Sequence, residues 1–370
     1  MKAKKKKLPF IDRFFLWINY LLCTALLISY LAPFVDPAKY WLIAFFGLAY
    51  PPLLLLNILI LVYWLLRKRI YFAIPLVTIL LGYNVLFNNI GFRFSSDSKA
   101  MPETIRLMTY NVHNFKPYGY ENDIVTKHEM LKVVEAAHPD IICFQEFLTR
   151  KRGQYAMVDS MKILMNSRHY YFESIHTSSE ESIGMAIFSK YPISGSGLIK
   201  LAAKGSDNQC IFIDVKKDGQ NFRVYNVHLQ SISFGPEDYK YLDTVSKKGK
   251  TNLSASRRVG GKLKNAFIKR SQQVTIIKDH AKTCPYPYVI AGDFNDTPSS
   301  FAVNKMVKGL KNAFREKGSG LGRTYNGNFP NYQIDYIMAS PRFDVTGYKI
   351  IEKKLSDHYP LYSEVVLNKP

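Results

Sequence analysis

Six short polar clusters recur along the second part of this chain, and each follows an apolar, β-branched or aromatic run. In order they place Asn111 in TYNVHNF, Glu146 in DIICFQE, His228 in YNVHLQS, Asp293 and Asn295 in VIAGDFNDTP, Asp335 in QIDYIMAS, and Asp357 with His358 in LSDHYPL. A polar residue after such a run is expected at or just beyond a strand end. Together the clusters hold carboxylates, amides and two imidazoles. Oxygen donors of this kind suit a hard divalent cation, and the set is the inventory needed to hydrolyse a phosphate ester. No single cluster carries that reading; the order of all six does. No P-loop or dinucleotide glycine motif stands in the context it would need. His113, His128, His138, His169, His176 and His280 fit no such pattern and are expected to be structural or solvated; His113 draws notice because it follows Asn111 by two residues.

The elements that must position these residues begin at Thr104. IRLMTYNV reads as a strand, and residues 123–138 as an amphipathic helix with Ile124, Met130, Leu131, Val134 and Ala137 on one face. IICFQE is a buried strand and residues 157–166 a helix. HYYFESIH, GMAIFSK, CIFIDV and FRVYNVHL are strands that suit two packed sheets. Residues 233–262, rich in Lys, Gly and Ser, are expected to form a long loop, followed by a helix over 263–282 and the YVIAGDFN strand.

Residues 1–90 are of another kind. After MKAKKKK come three apolar stretches, at about 14–35, 41–66 and 70–87, each near the roughly 20 residues that cross a bilayer. Pro51-Pro52 should kink the second, and Tyr83 and Asn84 weaken the third. Trp17, Tyr40, Trp41, Trp64 and Tyr71 fall near stretch ends, where amphipathic rings belong. The first stretch is too long for a signal peptide and has no small-residue cleavage site after it. Lys2, Lys4 to Lys7 and Arg67-Lys68-Arg69 should stay on the cytoplasmic side. Three crossings then put the rest of the chain on the outer face of a plasma or inner membrane, beyond a polar linker at 91–103; if the third stretch does not cross, it stays in the cytoplasm.

Of the formal charge of +21, ten Lys/Arg and two Asp/Glu in residues 1–90 account for +8, leaving +13 on the remainder. That excess favours an anionic partner: nucleic acid, a phosphorylated headgroup or an anionic surface. With a hydrophobic share of 47% the chain can bury a large core, which argues against disorder. Cys23, Cys143, Cys210 and Cys284 show no metal-type spacing and are expected as buried thiols; nothing supports a Cys143–Cys210 bridge.

The six clusters, by order and spacing over residues 104–367, resemble the endonuclease/exonuclease/phosphatase superfamily with its deoxyribonuclease I-like fold. The resemblance implies an α/β fold, a four-layer sandwich of two packed mixed sheets flanked by helices, here preceded by three transmembrane helices, with domains at 1–90 and 104–370. It implies a metal-dependent phosphoric ester hydrolase using Mg²⁺, with Mn²⁺ as a substitute. Glu146 becomes the principal metal ligand, helped by Asn111 and by Asp357, the last through water. Asp293 becomes the general base, Asn295 the group that positions water or phosphate, and His228 a donor to a phosphate oxygen. His358 contacts the phosphate and is held by Asp335. Asn226 and Gln230 share the face of His228 by period-two alternation and are expected on the substrate side.

Substrate choice is not read from the fold. The basic stretch 246–270 fits either a nucleic-acid backbone or anionic lipid headgroups. Tethering to a bilayer tilts the expectation toward a lipid or small phosphoester. An extracytoplasmic nuclease acting on DNA is the alternative, and a catalytically silent phosphate- or lipid-binding module the third reading. Nothing in the sequence indicates a protein partner.

Overall fold

The computed structural model describes residues 8–93, 103–116, 124–201, 208–327 and 331–369. Lys2, Lys4 to Lys7 and most of the 91–103 linker lie outside these.

The N-terminal part is helical: α1 Phe10–Ser29, α2 Pro37–Leu48, α3 Tyr50–Leu66, α4 Ala73–Leu81 and α5 Tyr83–Asn89. Among the described residues only α1 is by itself long and apolar enough to cross a membrane; α2 with α3, and Ile70–Leu81 with α5, qualify only if each bent pair is one span. This corrects the expectation of three transmembrane helices, of which the second was to be kinked. The first stretch ends at Ser29, six residues before the expected boundary. The second breaks at Ala49 by 48°, because Pro51 and Pro52 begin a new helix, where a missing N–H costs nothing. The third bends by 65° at Gly82, where the ring of Tyr30 occupies the space a side chain would need.

The helices stand antiparallel. Asp12, near the start of α1, meets Arg67 after the end of α3 at 3.1 Å. At the opposite end the Tyr30 and Tyr50 rings lie 6.2 Å apart, and the Tyr30 hydroxyl donates to the Thr78 carbonyl of α4.

The remainder alternates strands and helices: β1 Gly91–Phe92, β2 Ile105–Asn111, α6 Ile124–Ala137, β3 Ile141–Arg150, α7 Met157–Leu164, β4 His169–Thr177, β5 Glu181–Ser189, β6 Ile193–Lys200, β7 Gln209–Lys217 and β8 Gln220–His228. Then come α8 Pro236–Lys248, α9 Leu253–Lys282, β9 Tyr288–Asp293, α10 Phe301–Val307, β10 Lys311–Asn312, α11 Ala313–Lys317, β11 Ser319–Gly320, β12 Asp335–Ala339, β13 Phe343–Ile350 and β14 Leu361–Leu367. Two six-stranded mixed sheets result, ordered β13-β14-β2-β3-β5-β4 and β10-β12-β9-β8-β7-β6. Each has one parallel pair at its centre, β2 with β3 and β8 with β9.

Because a strand alternates its faces, each apolar strand feeds two cores. Leu107, Ile141 and Cys143 meet Ile213, Val224 and Val289 between the sheets. Met108, Tyr110 and Phe144 lie under α6 and α7 with Met130 and Met161. Tyr225, Val227 and Ile290 lie under α9 and α10 with Val274 and Val303. This is an α/β fold of two mixed sheets flanked by helices. All four cysteines are free.

The expected loop at 233–262 is mostly helix. Helix α8 closes on Gly249 in the left-handed conformation (φ 61°), and the Asn252 side chain caps α9 at the Ala255 N–H. The N-terminal part is also joined to the sheets: α2 lies along α9 with Phe45 edge-on to Phe267, and β1 pairs with β11, so the first linker residues are strand.

Candidate active site

Parallel pairing brings the C-terminal ends of β2 and β3, and of β8 and β9, to one edge of the molecule. Asn111 pairs with Gln145 and His228 with Asp293. Strand β12 runs the other way, so its first residue, Asp335, lies opposite Asp293. Gly292 makes the β8–β9 pair close enough: it sits at φ 141°, and a Cβ there would fall 2.0 Å from the Val227 carbonyl oxygen.

Glu146 is not at a strand end. Strand β3 continues to Arg150, and Gln145 with Glu146 form a bulge between Phe144 and Phe147. Glu146 takes φ 51°, a conformation disfavoured for a side-chain-bearing residue and held here by the paired strands around it. The bulge re-aims the carboxylate from the sheet to the cleft, where its side chain is 32% exposed.

Asp293 is the hub. Its Oδ2 accepts from Asn111 Nδ2 at 3.1 Å and Asn295 Nδ2 at 3.2 Å, and its Oδ1 accepts the Asn295 backbone N–H at 2.8 Å. His228 Nε2 and His358 Nε2 each lie 3.7 Å from the same Oδ2. Asn295 itself turns into the left-handed region (φ 52°) rather than extending the strand. Burial raises the Asp293 carboxyl above the usual range; His358 opposes that shift and Asp335 adds to it. For His358 burial works against the imidazolium, but Asp335 and Asp293 outweigh it and hold the ring protonated well above the ordinary histidine range. Asp335 does so through contacts of 3.0 and 3.1 Å from its two oxygens to His358 Nδ1.

Asp357 lies beside the cleft, its Oδ1 accepting from Ser356 Oγ at 3.1 Å. That serine also donates to the Asn111 carbonyl and accepts the His358 N–H. Ser356 was visible in the SDH string but carried no expectation; Tyr325, whose ring meets His358 edge-on at 5.4 Å, had no sequence signal.

Three expectations change. Asn111 turns its amide nitrogen to Glu146 (3.2 Å) and Asp293, while its Oδ1 accepts the His113 N–H, so it tethers the carboxylates instead of turning its oxygen to a metal. Asn226 is buried between the sheets, donating to the Phe144 and Ala186 carbonyls and accepting from Gln145, so it cannot face substrate. The Gln230 side chain binds its neighbour Ser231, and its backbone carbonyl receives Arg270 Nε.

Asp293, Asp335 and His358 also form the one group of titratable side chains, among the described residues, whose ligand atoms gather within 4.8 Å. These atoms are already engaged with one another as a carboxylate–imidazole pair. The donor chemistry for a hard cation is better at Glu146 and Asp357, two carboxylates on the wall of an open cavity that can leave a cation several waters. The residues present therefore fit a divalent ion.

That cavity, of about 200 Å³, is lined among others by Glu146, Asp293, Asn295, Asp357 and His358. The Endonuclease/Exonuclease/phosphatase family profile matches residues 108–358, which contain all six clusters. The chain belongs to this family. Residues 12–89 match a domain of unknown function. The solved endonuclease/exonuclease/phosphatase from Bacteroides vulgatus is 19% identical, covering 72% of this chain and 99% of that one, with a TM-score of 0.52. That from Beutenbergia cavernae is 19% identical over 72% of each chain, with a TM-score of 0.50. A family protein from Bacteroides thetaiotaomicron is 17% identical, covering 73% of this chain and 100% of that one, with a TM-score of 0.50. These likenesses show the fold of this family. No curated protein sequence matches the chain.

Proposed function

We propose that this protein is a membrane-anchored phosphoric ester hydrolase that depends on a divalent metal, Mg²⁺ with Mn²⁺ as a substitute, and acts by in-line attack of water on phosphorus. The observation that carries the reading is the convergence of two amides and two imidazoles on Asp293 Oδ2. Buried and raised, the Asp293 carboxylate is placed to orient a water and accept its proton, with Asn295 fixing the carboxylate. His358, held cationic by Asp335, and His228 present N–H groups to the non-bridging phosphate oxygens as charge develops. Glu146 and Asp357 would hold the metal, which supplies Lewis-acid neutralisation of the phosphate and leaving oxygen.

Membrane anchoring is supported by where the apolar surface lies. Exposed large hydrophobic side chains crowd the first 92 residues, Phe10, Trp17, Leu21, Phe34, Leu66 and Leu81 among them, and are sparse thereafter. Helix α1, 20 residues long, spans about 30 Å. The Arg67 end of the helices is the basic one. Asn89, at the other end, donates to Ser299 of the catalytic part. With the basic end cytoplasmic, the site is extracytoplasmic.

The preferred substrate is a membrane lipid or small phosphoester. The basic stretch supports DNA less than its composition suggests. Arg258 and Lys262 are engaged by Asp238, Lys247 by Asp243 and Arg270 by Asp296, while Lys264 sits over the Trp41 ring. The test is turnover by the full-length protein in lipid with Mg²⁺ or Mn²⁺, against phospholipid, a soluble phosphoester and plasmid DNA, with His228→Ala as the blank. Release from the lipid or soluble ester that disappears in the variant is expected. Nicking of DNA alone would replace this substrate reading with the nuclease, and inactivity on all three with the binding module.

A further inference from the structure

The cavity that holds Asp293 and His358 is not lined by polar groups alone. Ile232, Phe234, Leu263 and Phe267 of the catalytic part and Leu48, the last residue of α2, also line it, with Ser231, Ser233 and Tyr239 beside them. Arg270, 1% exposed, lines the same cavity. Its Nε donates to the Gln230 carbonyl and its Nη1 lies 3.3 Å from Asp296, while Nη2 has no partner among the described residues. The cavity is therefore amphiphilic: carboxylates, an imidazole and a guanidinium line it together with hydrocarbon side chains.

Helix α2 is fixed in this position rather than trailing from the membrane. Its N-cap Asp36 accepts from Ser271 Oγ at 2.6 Å, one residue after Arg270. The Tyr332 hydroxyl donates to the Leu48 carbonyl at 3.3 Å. A Cβ on Gly47 would lie 2.5 Å from the Ala32 Cβ and 3.2 Å from the Ser299 carbonyl oxygen, so the α1–α2 turn and the active-site loop meet there. Over four residues α2 touches three environments. Phe45 packs on Phe267, Phe46 lines an apolar groove along α1 with Trp17 and Leu21, and Leu48 lines the catalytic cavity. Tyr40 and Leu42 of the same helix are exposed.

We propose that the apolar wall formed by Leu48, Ile232, Phe234, Leu263 and Phe267 is a subsite for the hydrocarbon chain next to the phosphate of a membrane phospholipid. The anchor is then part of the substrate site. The inference rests on the phosphoesterase reading above and names its substrate class. A small soluble phosphoester without an apolar group gains nothing from an apolar wall beside the reacting phosphate. A lipid chain removes that wall from water, at a gain proportional to the area covered. The source is a bilayer because the helix that supplies Leu48 also lines the groove on the face of α1, the helix long and apolar enough to cross one.

The test uses the full chain in nanodiscs of phosphatidylethanolamine and phosphatidylglycerol. A trace of phospholipid with a diazirine near the glycerol end of its acyl chain is photolysed with Asp293→Asn, which removes turnover. Cross-links to residues 45–48 and to Leu263 or Phe267 are expected; cross-links confined to the outer faces of α1 and α3 would overturn the subsite. In parallel, the rate on long-chain phospholipid is divided by that on a short-chain soluble analogue with the same headgroup. Leu48→Asp should lower this ratio about tenfold, the loss expected when roughly two methylenes lose apolar contact. Leu48→Ala, which keeps the backbone bond to Tyr332, should lower it roughly threefold. A ratio unchanged in both variants would overturn the proposal. Soluble turnover without chain cross-links at α2 would refute the subsite and leave the hydrolase standing; cross-links at α2 without any turnover would do the reverse.

Discussion

At the residue scale the site is built from carboxylates that cannot all be charged in isolation. Asp293 and Asp335 lie opposite each other in adjacent strands, and His358 reconciles them by facing one through each ring nitrogen. Because its folded pKa is raised, the protonated ring contributes stability in full below about pH 6.5 and loses it as pH climbs through the folded value. Asp335→Asn removes the main anionic partner. The alkaline limb of the pH–rate profile should then move to lower pH; a limb that stays in place would remove His358 from that titration. Glu146→Ala should raise the Mg²⁺ concentration needed for half-maximal activity at least about tenfold, read from a metal titration; an unchanged curve would end its assignment as a ligand. His228 and Asp293 were legible as polar residues closing an apolar run at the rim of a sheet, whereas Glu146 reaches the cleft from a bulge, Asp335 opens its strand and His358 precedes β14. Asn226 was misread for a physical reason. Alternation puts it on the face of His228, but two residues in from the rim that face is the space between the sheets.

At the scale of elements, β2 to β5 and β7 to β9 were legible from their β-branched and aromatic runs and α6 from its apolar periodicity, whereas β6, β13 and β14 carried no expectation. The helix expected over 263–282 is the larger part of α9; α8 and the first ten residues of α9 were hidden by composition. The buried face of α9 runs through Ala255, Val259, Ala266, Arg270, Val274 and Ile277, so small and charged residues interrupt its apolar stripe. What closes α8 onto α9 is Asp238, whose carboxylate is buried, which would raise its pKa. Lys262, Arg258 and the Gly235 N–H overcome this and lower it to about 2. A depressed carboxyl pKa contributes stability above the unfolded value near 3.9 that is lost as pH falls through about 2. Hydrogen exchange in residues 236–248 should accelerate as pH falls across that window, relative to the intrinsic rate. At neutral pH, Asp238→Asn should show the same opening, about 1 kcal/mol in size because both cations are partly exposed. Unchanged protection in the variant would show that the pair does not hold α8. The bulge at Glu146 had no sequence signal, since left-handed turns are usually marked by Gly or Asn and here none is present.

For the whole molecule, hydropathy marked the N-terminal region and Pro51-Pro52 its bend before α3, but neither the bend at Gly82 nor the docking was marked. Apolar stretches report burial in lipid or protein alike, and the contacts of Asp36, Leu48 and Asn89 with the catalytic part depend on residues far away in sequence. With the Arg67 end cytoplasmic, alkaline phosphatase fused to the C-terminus should be active and a fluorescent protein dark; the reverse pattern would place the site inside. The central claim is metal-dependent attack of water at phosphorus by a site organised on Asp293. Its most direct test is turnover of phospholipid and soluble phosphoester by the full-length protein in lipid, with Mg²⁺ in ¹⁸O-water. The prediction is one ¹⁸O in the phosphate-bearing product, with turnover lost on chelation and reduced about a thousandfold in Asp293→Asn. Label in the alcohol product, or full activity in Asp293→Asn, would contradict it.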